Sequence, residues 1–184
     1  MIVGVDTSFL LYLFAPPGAV GVPLDDSNVP VTFPKERVAA LLDELEKAGA
    51  KIIVGTPALS ELMIRSGVEA AQSWVTIMRK SAVFKIVAFD EKSAVEVAMM
   101  AGHAMQGENR KDAGDGTYAK LKYDRQIVAI ARTEGAAIFY SDDHRQRNLA
   151  TKLGMTVRGL ADCIVPDAAA QTSFVFGAGN GDAK

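Results

Sequence analysis

Apolar residues follow two alternating rhythms along this chain. Short apolar segments at Ile2–Val5, Lys51–Gly55, 84–88 and 136–140 have the look of strands buried on both faces, and 155–157 offers a fifth. Between them apolar positions recur every three or four residues, the period of amphipathic helices. Phe9, Leu10, Leu13 and Phe14 form one such stripe, and Val38, Leu41, Leu42 and Leu45 another. Further helices are predicted after Thr56 and over 68–80, 91–105, 118–134 and 144–153. Gly49, Gly135 and Gly154 stand where helices should stop, and Thr56-Pro57 reads as an N-cap followed by proline at the first helical position. Strands alternating with helices predict an α/β fold: a central parallel sheet of four or five strands with helices on both faces. In such sheets ligands bind beyond the carboxyl ends of the strands.

The chain has 184 residues, which suits one domain, assigned here to 1–165. Five of its seven prolines fall between 16 and 34, so 15–34 reads as a looped insertion, functional or mobile, rather than a linker. A second exposed loop is predicted at 106–117, and the small, Gly-rich stretch 166–184 as a flexible tail.

Charge and composition narrow the function. Twenty basic against 22 acidic residues give a net charge of −2, which lends no overall support to nucleic-acid binding. One cysteine and two histidines exclude an internal disulfide and a Cys/His metal site. No basic leader opens the chain, and no apolar run nears the roughly 18 residues that span a bilayer, so a cytoplasmic protein without membrane contact is expected.

The informative residues are acidic. Asp6 directly follows the first strand and Asp142-Asp143 the fourth, while Glu61 lies in the second turn of the helix after the second strand. Asp124 shares the inward stripe of Leu121, Val128 and Ala131. A carboxylate aimed at a core is costly unless it is paired. Clustered carboxylates repel one another, and a hard divalent ion such as Mg²⁺ or Mn²⁺ relieves that repulsion through oxygen ligands. Such an ion also serves phosphodiester hydrolysis.

Each acid taken singly has a plainer role. Asp143 with Gln146 makes a capping box, Asp6 caps the helix that starts near Ser8, Glu61 suits a solvated helix face, and Asp124 could pair with Arg125 or Lys120. His103 and His144 read as helix residues, and Met99, Met100, Met105 and Trp74 as core filler.

Taken together, Val5-Asp6-Thr7-Ser8, Ser60-Glu61-Leu62, Tyr123-Asp124-Arg125-Gln126-Ile127-Val128 and Tyr140-Ser141-Asp142-Asp143 resemble the PIN-domain family, which includes VapC-like toxins and related ribonucleases. The resemblance covers most of residues 1–160 in order and spacing. It implies an α/β/α sandwich and a metal-dependent endoribonuclease acting on RNA. Asp6, Glu61, Asp124 and Asp143 would be the catalytic acids and would hold Mg²⁺ or Mn²⁺. Ser8 and Ser141 would orient them, and Asp142 would be an auxiliary ligand or a solvent-facing neighbour. The usual aspartate-phenylalanine ending is replaced by Arg145-Gln146-Arg147.

Arg110, Lys111, Lys120 and Lys122 lie beside the Asp124 helix and could hold phosphates, or form a solvated face. The family further implies a small antitoxin that inserts a cation among the acids, and a homodimer is expected from the apolar stripes of two helices. Phe9, Leu13, Phe14 and the stripe of Val38 to Leu45 are surfaces for either partner, or simply core. Two other readings stand beside the nuclease. A dehalogenase-type phosphatase needs an aspartate where Ser8 stands, and is disfavoured. An inactive PIN-fold module that binds RNA or protein is separated from the enzyme by metal binding.

Overall fold

A computed structural model describes residues 1–167 apart from 17, 19, 26 and 107–117, and not the side chains of 68, 102–106 and 118–121. Of the predicted loop at 106–117, Gln106 ends a helix and the remainder, with Arg110 and Lys111, lies outside the described residues, as does the predicted tail from 168 onward. The elements run β1 (Ile2–Val5), α1 (Thr7–Phe14), α2 (Pro34–Lys47), β2 (Lys51–Gly55), α3 (Thr56–Ser66), α4 (Val68–Lys80) and β3 (Phe84–Val87). Then follow α5 (Glu91–Gln106), α6 (Tyr118–Thr133), β4 (Ile138–Tyr140), α7 (His144–Lys152), β5 (Thr156–Arg158) and a 3₁₀ turn at Leu160–Asp162. Among the described residues no helix is long and apolar enough to cross a membrane.

The five strands are all parallel in the order β3-β2-β1-β4-β5. This is the α/β/α arrangement expected from the alternating pattern. Gly4 explains how α6 seats on the sheet: a Cβ there would stand 2.6 Å from Ala131 Cβ and 2.8 Å from Phe139 Cδ2. Only a residue without a side chain allows so close an approach. Val3 and Val5 point to the opposite face by the two-residue alternation and are equally buried, so helices cover both sides.

Phe9, Val38, Leu41 and Leu45 belong to the core, and the partly buried Leu13 and Phe14 pack against it, so neither predicted partner surface is free. Phe14 stacks on Trp74 at 5.6 Å between ring centroids. Met100 is buried as expected, whereas Met99 is exposed on the outer face of α5.

One local expectation needs correction. Thr56 is the first residue of α3 rather than its cap; Gly55 takes the N-cap position, and Thr56 Oγ1 accepts from Phe89 N at 3.1 Å. The stretch between α1 and α2 is a loop with internal order. Leu24 and Pro30 form an antiparallel bridge closed around Asp25, whose Oδ1 accepts from Ser27 N and Val29 N, and Tyr12 Oη donates to Gly21 O.

Candidate active site

The strand order reverses at β1, with β2 on one side and β4 on the other. Helices turn to opposite faces at such a switch point and leave a crevice beyond the strand ends. Asp6 stands at its centre. Val5 pairs with Tyr140, and Asp6 N donates to Tyr140 O at 3.1 Å, so the residues after β1 and β4 lie side by side.

Asp6 is 1% exposed. It caps α1, its Oδ1 accepting from Phe9 N at 3.0 Å, while Oδ2 accepts from Ser141 Oγ at 2.6 Å. Burial pushes its carboxyl up to about 7; the bonds from Ser141 and Phe9 pull the other way, and the charges of Asp142 and Asp143 add to the rise. Ser141 also accepts from Asp143 N at 3.1 Å, so one hydroxyl joins the acids of two strands.

Asp143 caps α7 through Oδ1, which accepts from Arg145 N at 2.9 Å and Gln146 N at 3.3 Å. The expected capping box is only half present. The Gln146 side chain turns instead to Asp124, its Nε2 donating to Oδ1 at 3.1 Å. Asp124 is 6% exposed beside the fully buried Val128, as its place in the α6 stripe predicts. Glu61 is held at both oxygens, Oε2 by Thr7 Oγ1 and Oε1 by Arg65 Nη2, each at 2.8 Å.

Glu61, Asp124 and Asp143 line one cavity of about 360 Å³ with Thr7, Ser8, Ser60, Gln146, Arg65 and the less polar Leu11, Ile64 and Tyr123. Asp6 does not line it, but reaches it through the Ser141 link to Asp143. The donors are carboxylates, hydroxyls and an amide, hard oxygen ligands of the kind Mg²⁺ and Mn²⁺ prefer, with no competing thiol or imidazole. In chemistry the set fits such an ion. Each carboxylate is also engaged by donors of the protein, and among the described residues no group of three or more acids, histidines or cysteines is placed to hold one ion.

Asp142 belongs elsewhere. It does not line the cavity, and its Oδ1 accepts from Leu160 N at 3.0 Å, which pins the 3₁₀ turn after β5. Burial raises its carboxyl, with Leu160 N and the Arg147 charge opposing. It is half-buried rather than solvent-facing. Lys122 is exposed and lines no part of the cavity, and the side chain of Lys120 lies outside the described residues.

Thr7, Gln146 and Arg65 are the site residues that sequence reasoning missed. Arg65 was detectable at i+4 from Glu61 on one helix, and Gln146 at i+3 from Asp143, where the capping pattern concealed it.

No protein-family model matches the chain, and no curated protein does. Solved structures do. A chain of VapBC2 from Rickettsia felis, bound to a DNA fragment from their promoter, superposes with a TM-score of 0.56 at 18% identity, covering 86% of this chain and 98% of that one. DNA-bound VapBC from Salmonella typhimurium gives 0.53 at 12% identity, covering 87% and 98%. VapBC-1 from nontypeable Haemophilus influenzae gives 0.53 at 14%, covering 88% and 100%. At such identities the likeness concerns the fold alone: a five-stranded parallel α/β/α sandwich shared with these VapBC chains and consistent with the PIN-like sandwich that the motifs imply.

Proposed function

We propose that this chain is a metal-dependent endoribonuclease that hydrolyses phosphodiesters of single-stranded RNA. One observation carries the reading: acids from three separate helical segments line a single cavity at the switch point of a PIN fold, with the buried Asp6 linked to them through Ser141. Mg²⁺ or Mn²⁺ would be held by Asp6, Glu61, Asp124 and Asp143. When bound, the ion activates water and offsets the charge that develops on the phosphate.

The rest is the work of the chain itself. Ser141 and Phe9 N fix the Asp6 carboxylate, Gln146 fixes Asp124, and Thr7 fixes Glu61. Leu11 gives the cavity a buried apolar wall, the exposed Ile64 lies at its rim, and the partly exposed ring of Tyr123 offers a face on which an unpaired base can stack. The test is incubation of the purified chain with labelled single-stranded RNA and Mn²⁺. Cleavage should vanish with chelator and in Asp124→Asn, whose circular dichroism should match the parent.

A second reading, an inactive module that binds RNA or protein, draws on the hydrogen bonds that already engage the site carboxylates and on the absence of a ready three-ligand group among the described residues. Intact RNA in the same assay, with no Mn²⁺ bound by calorimetry, would establish it.

The likeness to VapBC chains supports a role as the toxin of a toxin–antitoxin pair, with a small antitoxin as partner. Expression alone should then slow growth of the host, and Asp6→Ala should relieve it. We also propose that the chain forms a homodimer in the cytoplasm, for which light scattering should give twice the chain mass.

A further inference from the structure

We propose that Arg65 is an exchangeable cation of the site: at rest it neutralises Glu61, and on substrate binding it transfers to an RNA phosphate and leaves Glu61 to the metal ion. This rests on the ribonuclease reading above and adds to it a coupling between the two ligands. The argument begins with the charges around the cavity. Three carboxylates line it, and among the described residues Arg65 is the one cation that does. A polyanion approaching such a wall meets repulsion from Glu61, Asp124 and Asp143, so the single guanidinium is where a phosphate gains attraction.

The bond that holds Arg65 is easily exchanged. Nη2 donates to Glu61 Oε1 at 2.8 Å, with the Arg65 side chain 54% exposed and that of Glu61 35%. Ion pairs this wet are weak. A guanidinium carries five N–H donors in a planar fork, and a phosphate accepts two of them side by side, a stronger arrangement than one contact to a carboxylate.

Glu61 does not drift when Arg65 leaves, because its other oxygen stays on Thr7 Oγ1 at 2.8 Å. The carboxylate that Arg65 releases is thus already aimed. The same pair could act merely as a helix brace, since a glutamate four residues before an arginine steadies a helix. A brace predicts no linkage between metal and RNA.

The experiment titrates the full chain with Mn²⁺ by calorimetry, and with a fluorescent 2′-O-methyl oligoribonucleotide, which resists cleavage, by anisotropy. Each titration is run with and without the other ligand, in the parent and in Arg65→Gln. In the parent, each ligand should tighten the other by roughly fivefold or more, reciprocally, because both draw on the same ion pair. Arg65→Gln should bind Mn²⁺ more tightly in the absence of oligonucleotide, bind oligonucleotide more weakly, and lose the coupling. If both ligands bind the parent but Arg65→Gln leaves the Mn²⁺ affinity and the coupling unchanged, or weakens both affinities, the exchange is overturned and the nuclease reading stands. A parent chain that binds neither ligand overturns both.

Discussion

Asp6→Asn isolates what burial of a single carboxyl does to this fold. In the native chain Asp6 is 1% exposed and its carboxyl is pushed up to about 7, whereas the unfolded chain returns it to 3.8. Between those values the native state binds the proton more strongly than the unfolded state. The contribution of Asp6 to stability is therefore fully present below pH 4 and is lost as the pH rises through 7. At about 1.4 kcal/mol per unit, a shift of about three units amounts to a ceiling of about 4 kcal/mol.

Asparagine removes the charge and can keep the contacts. Its carbonyl still accepts from Phe9 N, and its amide can donate to Ser141 Oγ once the hydroxyl rotates. Urea unfolding in chelator should find the two proteins equal near pH 4. At pH 8 the variant should be the more stable, by on the order of 2–4 kcal/mol. A variant less stable at pH 8, or a difference that ignores pH, would refute the claim that burial sets the state of Asp6.

The other expectations are quicker to state. Asp143→Asn should abolish RNA cleavage while the cap on α7 persists, and Asp142→Asn should leave cleavage near the parent level, since Asp142 serves the Leu160 turn; the reverse order of effects in one RNA assay would show the acids misassigned. Gly4→Ala places a methyl 2.6 Å from Ala131 Cβ and should destabilise by about 1–3 kcal/mol in thermal melts, and a melting temperature equal to the parent's would mean that α6 is free to retreat from the sheet.

The sheet was legible because β1 and β2 are compact apolar runs and the helices between them carry plain stripes. Element ends were less so: 136–140 reads as a strand, yet β4 is confined to Ile138–Tyr140. Asp6 and Asp143 stood out because they follow strands, and Asp124 because it violates the apolar stripe of its helix; Glu61, unremarkable on its own helix, joined them through its place on the same rim and the family motif. Their supporting partners did not. Gln146 bonds Asp124 across 22 positions, and Thr7 bonds Glu61 across 54, distances at which no local rule operates. Asp142 shows the converse failure, since two adjacent aspartates after one strand look alike until the backbone turns one toward the cavity and the other toward Leu160.

The hydrogen bond between Asp6 and Ser141 joins residues 135 positions apart, and the central strand gains its second neighbour only when β4 arrives. Translation delivers the chain from its N-terminus, so Asp6 and Glu61 leave the ribosome long before the strand that completes their surroundings. Parallel pairings of this span form late, after the local helices, because their loops are long to close. An abortive or truncated product lacking β4 holds three of the four acids, Asp6, Glu61 and Asp124, but neither Asp143 nor the crevice that gathers them. On the ribonuclease reading proposed above, such a chain would be inert while it is being made, and cleavage would begin only once β4 has paired with β1.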